Sequence, residues 1–303
     1  MLRQLRIKWI TWIDAVNLPA NEVKEVLDWF KFHELDIEAV LEANQRARID
    51  SYDDYMFLTL HFPRYNANKK IYELNEFHIF LGKNFLITLR DFPGTHIDQI
   101  YQKYEKKGDD DEYDIDVSTG LILYEIIQEM LEKMFRVSLN VRRDISAIEN
   151  QVFEKSSAPL VRNILVKKRN IVVLKHMFQP QMSVLIGLEN HMKKLFNDEI
   201  EAYFEDLEDK LQKIITDIAI LEEQITGVED AFKSMIDIQT NSIIKFLTIF
   251  SAFMLPLTAI TSFYGMNINL PFQDSPIFAY ASMWISVAIL WVVFLFFQKK
   301  RKV

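Results

Sequence analysis

No cysteine occurs in the 303 residues, which excludes disulfides, thiolate metal centres and cysteine nucleophiles together. Glycine is scarce, at seven residues, and no glycine-rich loop of the phosphate-cradling kind is present. The six histidines are scattered at His33, His61, His78, His96, His176 and His191. His33-Glu34 lacks the second histidine that a zinc-protease helix needs. The start, Met1-Leu2-Arg3-Gln4-Leu5-Arg6, leads into an amphipathic stretch and not into the long apolar core of a secretory signal. Binding the phosphates of a nucleic acid needs clustered cations, and most of the chain is acidic instead. The formal charge is −8, and the four cations at Lys299-Lys300-Arg301-Lys302 mask a balance of −12 over residues 1–298. These absences argue against an enzyme and against a nucleic-acid partner, and they favour cations.

Two long uncharged runs stand at the C-terminal end. Phe246 to Tyr264 gives nineteen residues and Ile277 to Phe297 gives twenty-one. Each matches the roughly 20 residues a helix needs to cross about 30 Å of hydrocarbon. The twelve-residue connector, 265–276, makes them an antiparallel hairpin with both chain ends on one side of a membrane. The basic tail follows the second run, whereas the connector carries a single charge, Asp274. That bias places both termini in the cytoplasm. Trp284 and Trp291, within the second run, read as helix or lipid contacts.

The remainder is long enough for a substantial core. β-rich composition marks Leu5–Ile13, Tyr55–Phe62, Ile71–Leu81 and Phe85–Leu89, with Gly82-Lys83-Asn84 as a hairpin turn between the last two. Asn21–Phe32, Asp36–Ala43 and Thr95–Tyr104 read as helices beside them, giving an α/β domain over residues 1–116. The run Asp109-Asp110-Asp111-Glu112 reads as a solvated break. A helical stalk region follows over residues 117–240, in three segments: Val117–Glu154, Leu160–Phe196 with Pro180 as an interruption, and Ala202 onward into the first apolar run. Residues 241–303 form the membrane hairpin and tail. Residues 198–237 hold thirteen acids and three lysines. Such a face is either solvated and paired with lysines such as Lys167, Lys168, Lys193 and Lys194, or it gathers cations.

Alternate steps of four and three from Asp230 reach Ser234, Asp237, Asn241, Ile244, Thr248, Ser251, Leu255, Thr258 and Ser262. This 3.5-residue repeat keeps one helix face toward a common axis when copies bundle. Hydroxyls so spaced serve either dry helix packing or an aqueous path. The continuation as Asn241, Asp237 and Asp230 suits the aqueous path. Two spans cannot enclose a pore, so that path requires several copies. Pro256 removes a helical hydrogen bond beside Leu255.

The chain resembles the CorA family of magnesium channels. The resemblance rests on Tyr264-Gly265-Met266-Asn267, on Met254-Leu255-Pro256-Leu257-Thr258, on the two C-terminal spans with a basic tail, and on Tyr203-Phe204-Glu205-Asp206. It covers essentially the whole chain. It implies a funnel-shaped homopentamer in the cell membrane, with an α/β cytoplasmic domain and a long stalk helix that becomes the pore-lining span. It further implies Mg²⁺ as both cargo and regulator, Co²⁺ and Ni²⁺ as further cargo, and no organic cofactor. Gly265, Met266 and Asn267 would form the outer mouth, Met266 packing to hold the loop and Gly265 permitting a tight turn. Asp230, Asp237, Asn241, Thr248, Ser251 and Thr258 would line the pore, and Ile244, Leu247 and Leu255 would gate it. Some members carry methionine where Leu255 and Ile244 stand.

Asp206 would hold the regulatory cytoplasmic ion. Opposite it, on a neighbouring copy, the aligned position is Asn66, where the family pattern calls for an acid. The connector is poor in acids, so ion attraction to the mouth rests on Asp274. A zinc transporter of the ZntB type is the nearest alternative, against which Met266 stands. A membrane-anchored structural or signalling coiled coil is the other.

Overall fold

The computed structural model describes residues 1–42, 45–93, 95–108, 117–154, 158–195, 200–266 and 275–300. It divides into two compact units, Met1–Asp230 and Ala231–Val303.

The first unit is built on a six-stranded sheet. Its strands are β1 (Leu2–Ile7), β2 (Ile10–Val16), β3 (Arg48–Ser51), β4 (Tyr55–Asn66), β5 (Ile71–Gly82) and β6 (Phe85–Arg90), in the order β1-β2-β6-β5-β4-β3. β2 and β6 run parallel, and the other neighbours are antiparallel. The expected strand Leu5–Ile13 is instead a hairpin, reversing between Ile7 and Ile10. Lys8 supplies the turn at φ 50°, a left-handed conformation that glycine or asparagine usually marks. The turn after β5 uses Lys83 and Asn84, and Gly82 lies within the strand. A Cβ on Gly82 would sit 2.3 Å from the Phe85 ring, so the ring lies where a side chain would be.

The strand expected to end at Phe62 continues through Pro63 to Asn66. A proline is tolerated there because β3 pairs only with Met56–Thr59, leaving the far half of β4 as an edge. Gln181 occupies part of that edge like a short strand. Its Oε1 accepts from the His61 N–H at 3.1 Å, and its Nε2 donates to the His61 carbonyl at 2.8 Å.

Strand alternation divides the core into two layers. One face presents Ile13, Ala15, Phe57, Phe80, Ile87 and Leu89 to helices α1 (Ala20–Asp28) and α2 (Glu34–Leu41). Phe32 fills this layer, 4.2 Å from the Phe80 ring and 4.7 Å from Tyr55. On the opposite face Trp12 meets Tyr101 of α3 (Thr95–Gly108) at 5.1 Å. The same side carries α4 (Thr119–Glu154) and α5 (Ala158–Phe178), while α6 (Gln181–Leu195) packs on β3 and β4. Asp14 sits fully buried in β2. Arg90 grips it through Nε at 3.2 Å and Nη2 at 2.9 Å, Thr88 donates at 2.8 Å, and Arg3 adds an ion pair. Burial alone would raise the pKa of Asp14, but Arg90 first and then Arg3 and Thr88 outweigh it and hold the carboxyl below its ordinary range.

Helix α7 (Glu201–Tyr264) runs unbroken for 64 residues, through both Gly227 and Pro256. In the second unit α8 spans Pro276–Lys300, about 37 Å at 1.5 Å per residue. By length and hydropathy, two described stretches could cross a membrane: Glu201–Phe263, with mean hydropathy 2.0 and none of its apolar window buried, and Pro159–Met192, with 1.3 and 44% buried. The latter is a core segment. It breaks between α5 and α6, buries Leu160, Ile164, Ile171, Leu174 and Phe178, and carries Lys167, Lys168 and Lys175. The apolar half of α7 is different in kind: Ile243, Phe246 and Leu255 are 67%, 71% and 71% exposed. On α8, Ile277 and Trp284 are 76% and 67% exposed, and Pro276–Ile289 is its described apolar stretch. Surfaces of this kind need lipid or another chain to cover them.

Candidate functional site

The site is organised by the two faces of α7. Within the first unit the helix buries Phe204, Leu207, Leu211, Ile214, Ile218, Leu221, Ile225 and Val228. Their spacing alternates three and four, the 3.5-residue repeat of a helix held in a bundle. The polar series begins at Asp230, two residues after Val228. Two residues turn a helix by about 200°, so the polar series lies on the face opposite the one the chain buries on itself. Extended backward in the same rhythm it meets Gly227, Glu223, Ile220, Thr216, Lys213 and Asp209, all exposed.

Much of the acidity of α7 is neutralised on its flanks. Lys168 reaches Glu229 and Lys175 reaches Glu222, each at 2.6 Å, and Arg142 reaches Asp217 at 3.3 Å. Of the expected lysine partners, Lys168 pairs with this helix whereas Lys167 pairs with Asp144. The side chains of Lys193 and Lys194 lie outside the described residues.

Beyond Asp237 and Asn241, the positions Ile244, Leu247, Thr248, Ser251, Leu255 and Thr258 are exposed. Thr248 donates its hydroxyl proton to the Ile244 carbonyl at 2.8 Å, and Thr258 to Met254 at 2.9 Å. Each hydroxyl oxygen then keeps its lone pairs for a donor outside the helix, and the water of a hydrated cation is such a donor.

At the end of α7, Gly265 donates to Thr261 O at 3.0 Å. Its φ is not in the left-handed region. What glycine provides here is proximity, since a Cβ would stand 3.1 Å from that carbonyl oxygen. The Met266 side chain, expected to pack and hold the loop, is 48% exposed in this chain. Asn267 and Asp274 lie outside the described residues, as do the acidic run 109–112 and the tail cations Arg301 and Lys302.

Asp206, early on α7, accepts from the Tyr124 hydroxyl at 3.0 Å and from Lys210 at 2.6 Å, both through Oδ2. Burial, then Asp206, pushes the Tyr124 phenol up to about 12, which keeps it a donor. The carboxylate is 45% exposed, and Oδ1 carries neither of these bonds, so the group fits a hydrated divalent cation as one ligand. Among the described residues no three of His, Asp or Glu converge as a metal cage. Asn66, the position across from it in the resemblance, accepts from the Lys69 N–H and donates to Glu73 at 2.8 Å. Hydrogen bonds from Arg64 and Asn66 lower the Glu73 pKa to about 2. Sequence reasoning missed Lys210, for which the i,i+4 spacing from Asp206 was the available signal. Tyr124, 82 residues away, carries no sequence signal.

The comparisons with known proteins give the class first, a transporter of divalent cations. Residues 8–301 match the family described as CorA-like Mg²⁺ transporter protein, and the chain belongs to that family. The Cobalt/magnesium transport protein CorA of Thermotoga maritima is 24% identical over 301 residues, covering 96% of this chain and 83% of its own. The complete structure of the CorA magnesium transporter from Methanocaldococcus jannaschii superposes with a TM-score of 0.79 at 21% identity, covering 94% and 90%. The cytoplasmic domain of ZntB from Vibrio parahaemolyticus gives 0.62 at 16%, covering 77% and 90%. The last two show likeness of fold.

Proposed function

We propose that this chain is a Mg²⁺ influx channel of the cell membrane, assembled as a homopentamer with both termini in the cytoplasm and gated by cytosolic Mg²⁺. The supporting observation is the long helix with its two faces. One is buried against the chain's own helices, and the opposite one continues as hydroxyls, an amide and carboxylates through the apolar segment to Tyr264-Gly265-Met266. In this reading residues 1–116 are the α/β domain, 117–240 the stalk and 241–303 the hairpin, with spans at 246–264 and 277–297. Co²⁺ and Ni²⁺ share the path. The protein is a transporter and not an enzyme, with no organic cofactor and no nucleic-acid partner.

Mg²⁺ sheds its water reluctantly, so conduction depends on groups that accept from the hydration shell. A ring of Asn267 amides at the mouth does this without the trapping force of carboxylates. Thr258, Ser251 and Thr248 offer hydroxyl oxygens below, and Asn241, Asp237 and Asp230 attract the ion at the inner end. Rings of Leu255, Leu247 and Ile244 close the path by dewetting. Asp206 is the carboxylate through which internal Mg²⁺ would hold the copies in the closed arrangement.

Mg²⁺ uptake into proteoliposomes tests the reading, with Co²⁺, Ni²⁺ and Zn²⁺ supplied singly for comparison. The intact protein is expected to take up Mg²⁺, and Asn267→Ala to lose at least tenfold of that rate. Uptake of Zn²⁺ alone would replace this reading with the zinc transporter. Absence of all flux would favour a structural or signalling protein.

A further inference from the structure

Two donors of the same chain meet Asp206 on one oxygen. Oδ2 accepts from the Tyr124 hydroxyl at 3.0 Å and from the Lys210 ammonium at 2.6 Å. The two differ in kind, because Tyr124 is neutral whereas Lys210 brings a full positive charge. Asp206 and Lys210 stand four residues apart on α7, which places them on one side of the helix. The Lys210 side chain is 24% exposed, about half the value for Asp206. Its Nζ also lies 6.0 Å from the centre of the Tyr124 ring, so α4 flanks the ammonium.

The position across from Asp206 in the resemblance adds no free acid. Asn66 is neutral and donates to Glu73 at 2.8 Å, and that carboxylate also takes Arg64 at 2.7 Å and Lys69 at 3.3 Å. A divalent cation arriving at Asp206 thus meets a charge already offset by an ammonium. To hold the ion, the carboxylate must release Lys210 or keep two cations side by side. Either course weakens binding.

We propose that Lys210 is a tethered competitor of the regulatory cation at Asp206, and that it sets the internal Mg²⁺ concentration at which the channel closes. This role rests on Asp206 being the regulatory carboxylate. When Mg²⁺ is scarce, the ammonium supplies the counter-charge. As Mg²⁺ rises, the ion displaces it. Glutamine at position 210 would leave the carboxylate with Tyr124 alone, open to the ion at a lower concentration. A partly exposed ion pair contributes up to about a fivefold factor to an equilibrium, and that bounds the shift.

Currents from excised membrane patches carrying the full-length protein, with Mg²⁺ graded on the cytoplasmic face, test this. Lys210→Gln should lower the half-inhibitory Mg²⁺ by about three- to fivefold. Lysine and glutamine have similar helix propensity, so α7 is kept. Lys210→Arg, which preserves the charge, should stay within about twofold of the native protein. Lys213→Gln controls for net charge, since its ammonium lies 5.1 Å over the Phe135 ring instead of at Asp206. It too should stay within about twofold, because charges a Debye length apart are largely screened. In an Asp206→Asn background, Lys210→Gln should change nothing further. An unmoved midpoint in Lys210→Gln overturns the proposal, as does an equal shift in Lys213→Gln or a shift that persists without Asp206. Full inhibition in Asp206→Asn alone removes the regulatory reading of that carboxylate and the role of Lys210 with it. Inhibition lost in Asp206→Asn but unmoved by Lys210→Gln removes the role of Lys210 only.

Discussion

At the scale of single residues, the buried charge cluster around Asp14 decides the stability of the sheet. The carboxylate is shared by Arg90, Thr88 and Arg3, and Asp98 meets both guanidiniums, at 2.6 Å from Arg3 and 3.0 Å from Arg90. Removing one partner of a buried pair costs about 3–5 kcal/mol. Asp14→Asn should fall at the lower end, about 3 kcal/mol, because Asp98 still faces both arginines. The loss should depend on pH in one direction. The folded pKa of Asp14 lies below its ordinary value, so its contribution is fully present above the unfolded pKa of about 3.9 and fades as pH falls below that toward the folded pKa. Thermal unfolding followed by tryptophan fluorescence is the measurement, since Trp12 donates to Thr88 within the same cluster. The gap between the native protein and Asp14→Asn should be wide at pH 7 and should narrow below about pH 4. A gap that stays constant down to pH 3 would exclude ionised Asp14 as its source.

At the scale of elements, two glycines in helices should respond oppositely to the same change. On α6 a Cβ at Gly187 would stand 2.9 Å from Cγ2 of Ile49 in β3. On α7 a Cβ at Gly227 meets nothing within 4 Å. Alanine favours a helix over glycine by about 1 kcal/mol. Gly227→Ala should therefore stabilise by up to about that amount. Gly187→Ala should destabilise by about 1–2 kcal/mol, because overpacking outweighs propensity, and trimming Ile49 to alanine beside it should restore part of the loss. Unfolding temperatures of the four proteins check this, and stabilisation by Gly187→Ala alone would mean that β3 gives way. The same elements show what the sequence made legible. α4, the break at Pro180 and the length of α7 follow from hydrophobic period and breakers, which act locally. The β1–β2 turn was hidden because lysine, not glycine or asparagine, takes the left-handed position. β3 was hidden because it is only four residues, three half-buried and one exposed, whose pairing with β4 is decided by the sheet. At the site, the polar series on α7 was visible from spacing alone. That it opposes the buried face could be seen only once the packing of Leu207 to Val228 was known, and Tyr124 beside Asp206 depends on two distant helices meeting.

At the scale of the whole molecule, the question is what covers the exposed face of α7. Oligomer and lipid make different demands on it. If copies surround a common axis, equivalent stripe residues approach one another and the opposite side meets lipid. If the hairpin stands alone, no position meets its own equivalent. The absence of cysteine makes this directly measurable, because a single introduced thiol has no competitor. Thr258→Cys and Asn241→Cys lie on the stripe, whereas Phe246→Cys lies away from it and is 71% exposed in the single chain. Disulfide formation demands Cα atoms within about 7 Å, so a short bifunctional thiol reagent is the better probe across a wet axis. In membranes, Thr258→Cys and Asn241→Cys should each yield covalent dimers and nothing larger, and Phe246→Cys should remain monomeric on a denaturing gel. A homopentamer has an odd number of thiols, so even complete reaction should leave one chain in five unlinked. Complete conversion to dimer would indicate an even-numbered ring, and equal crosslinking at position 246 would mean that the hydroxyl stripe does not face the axis.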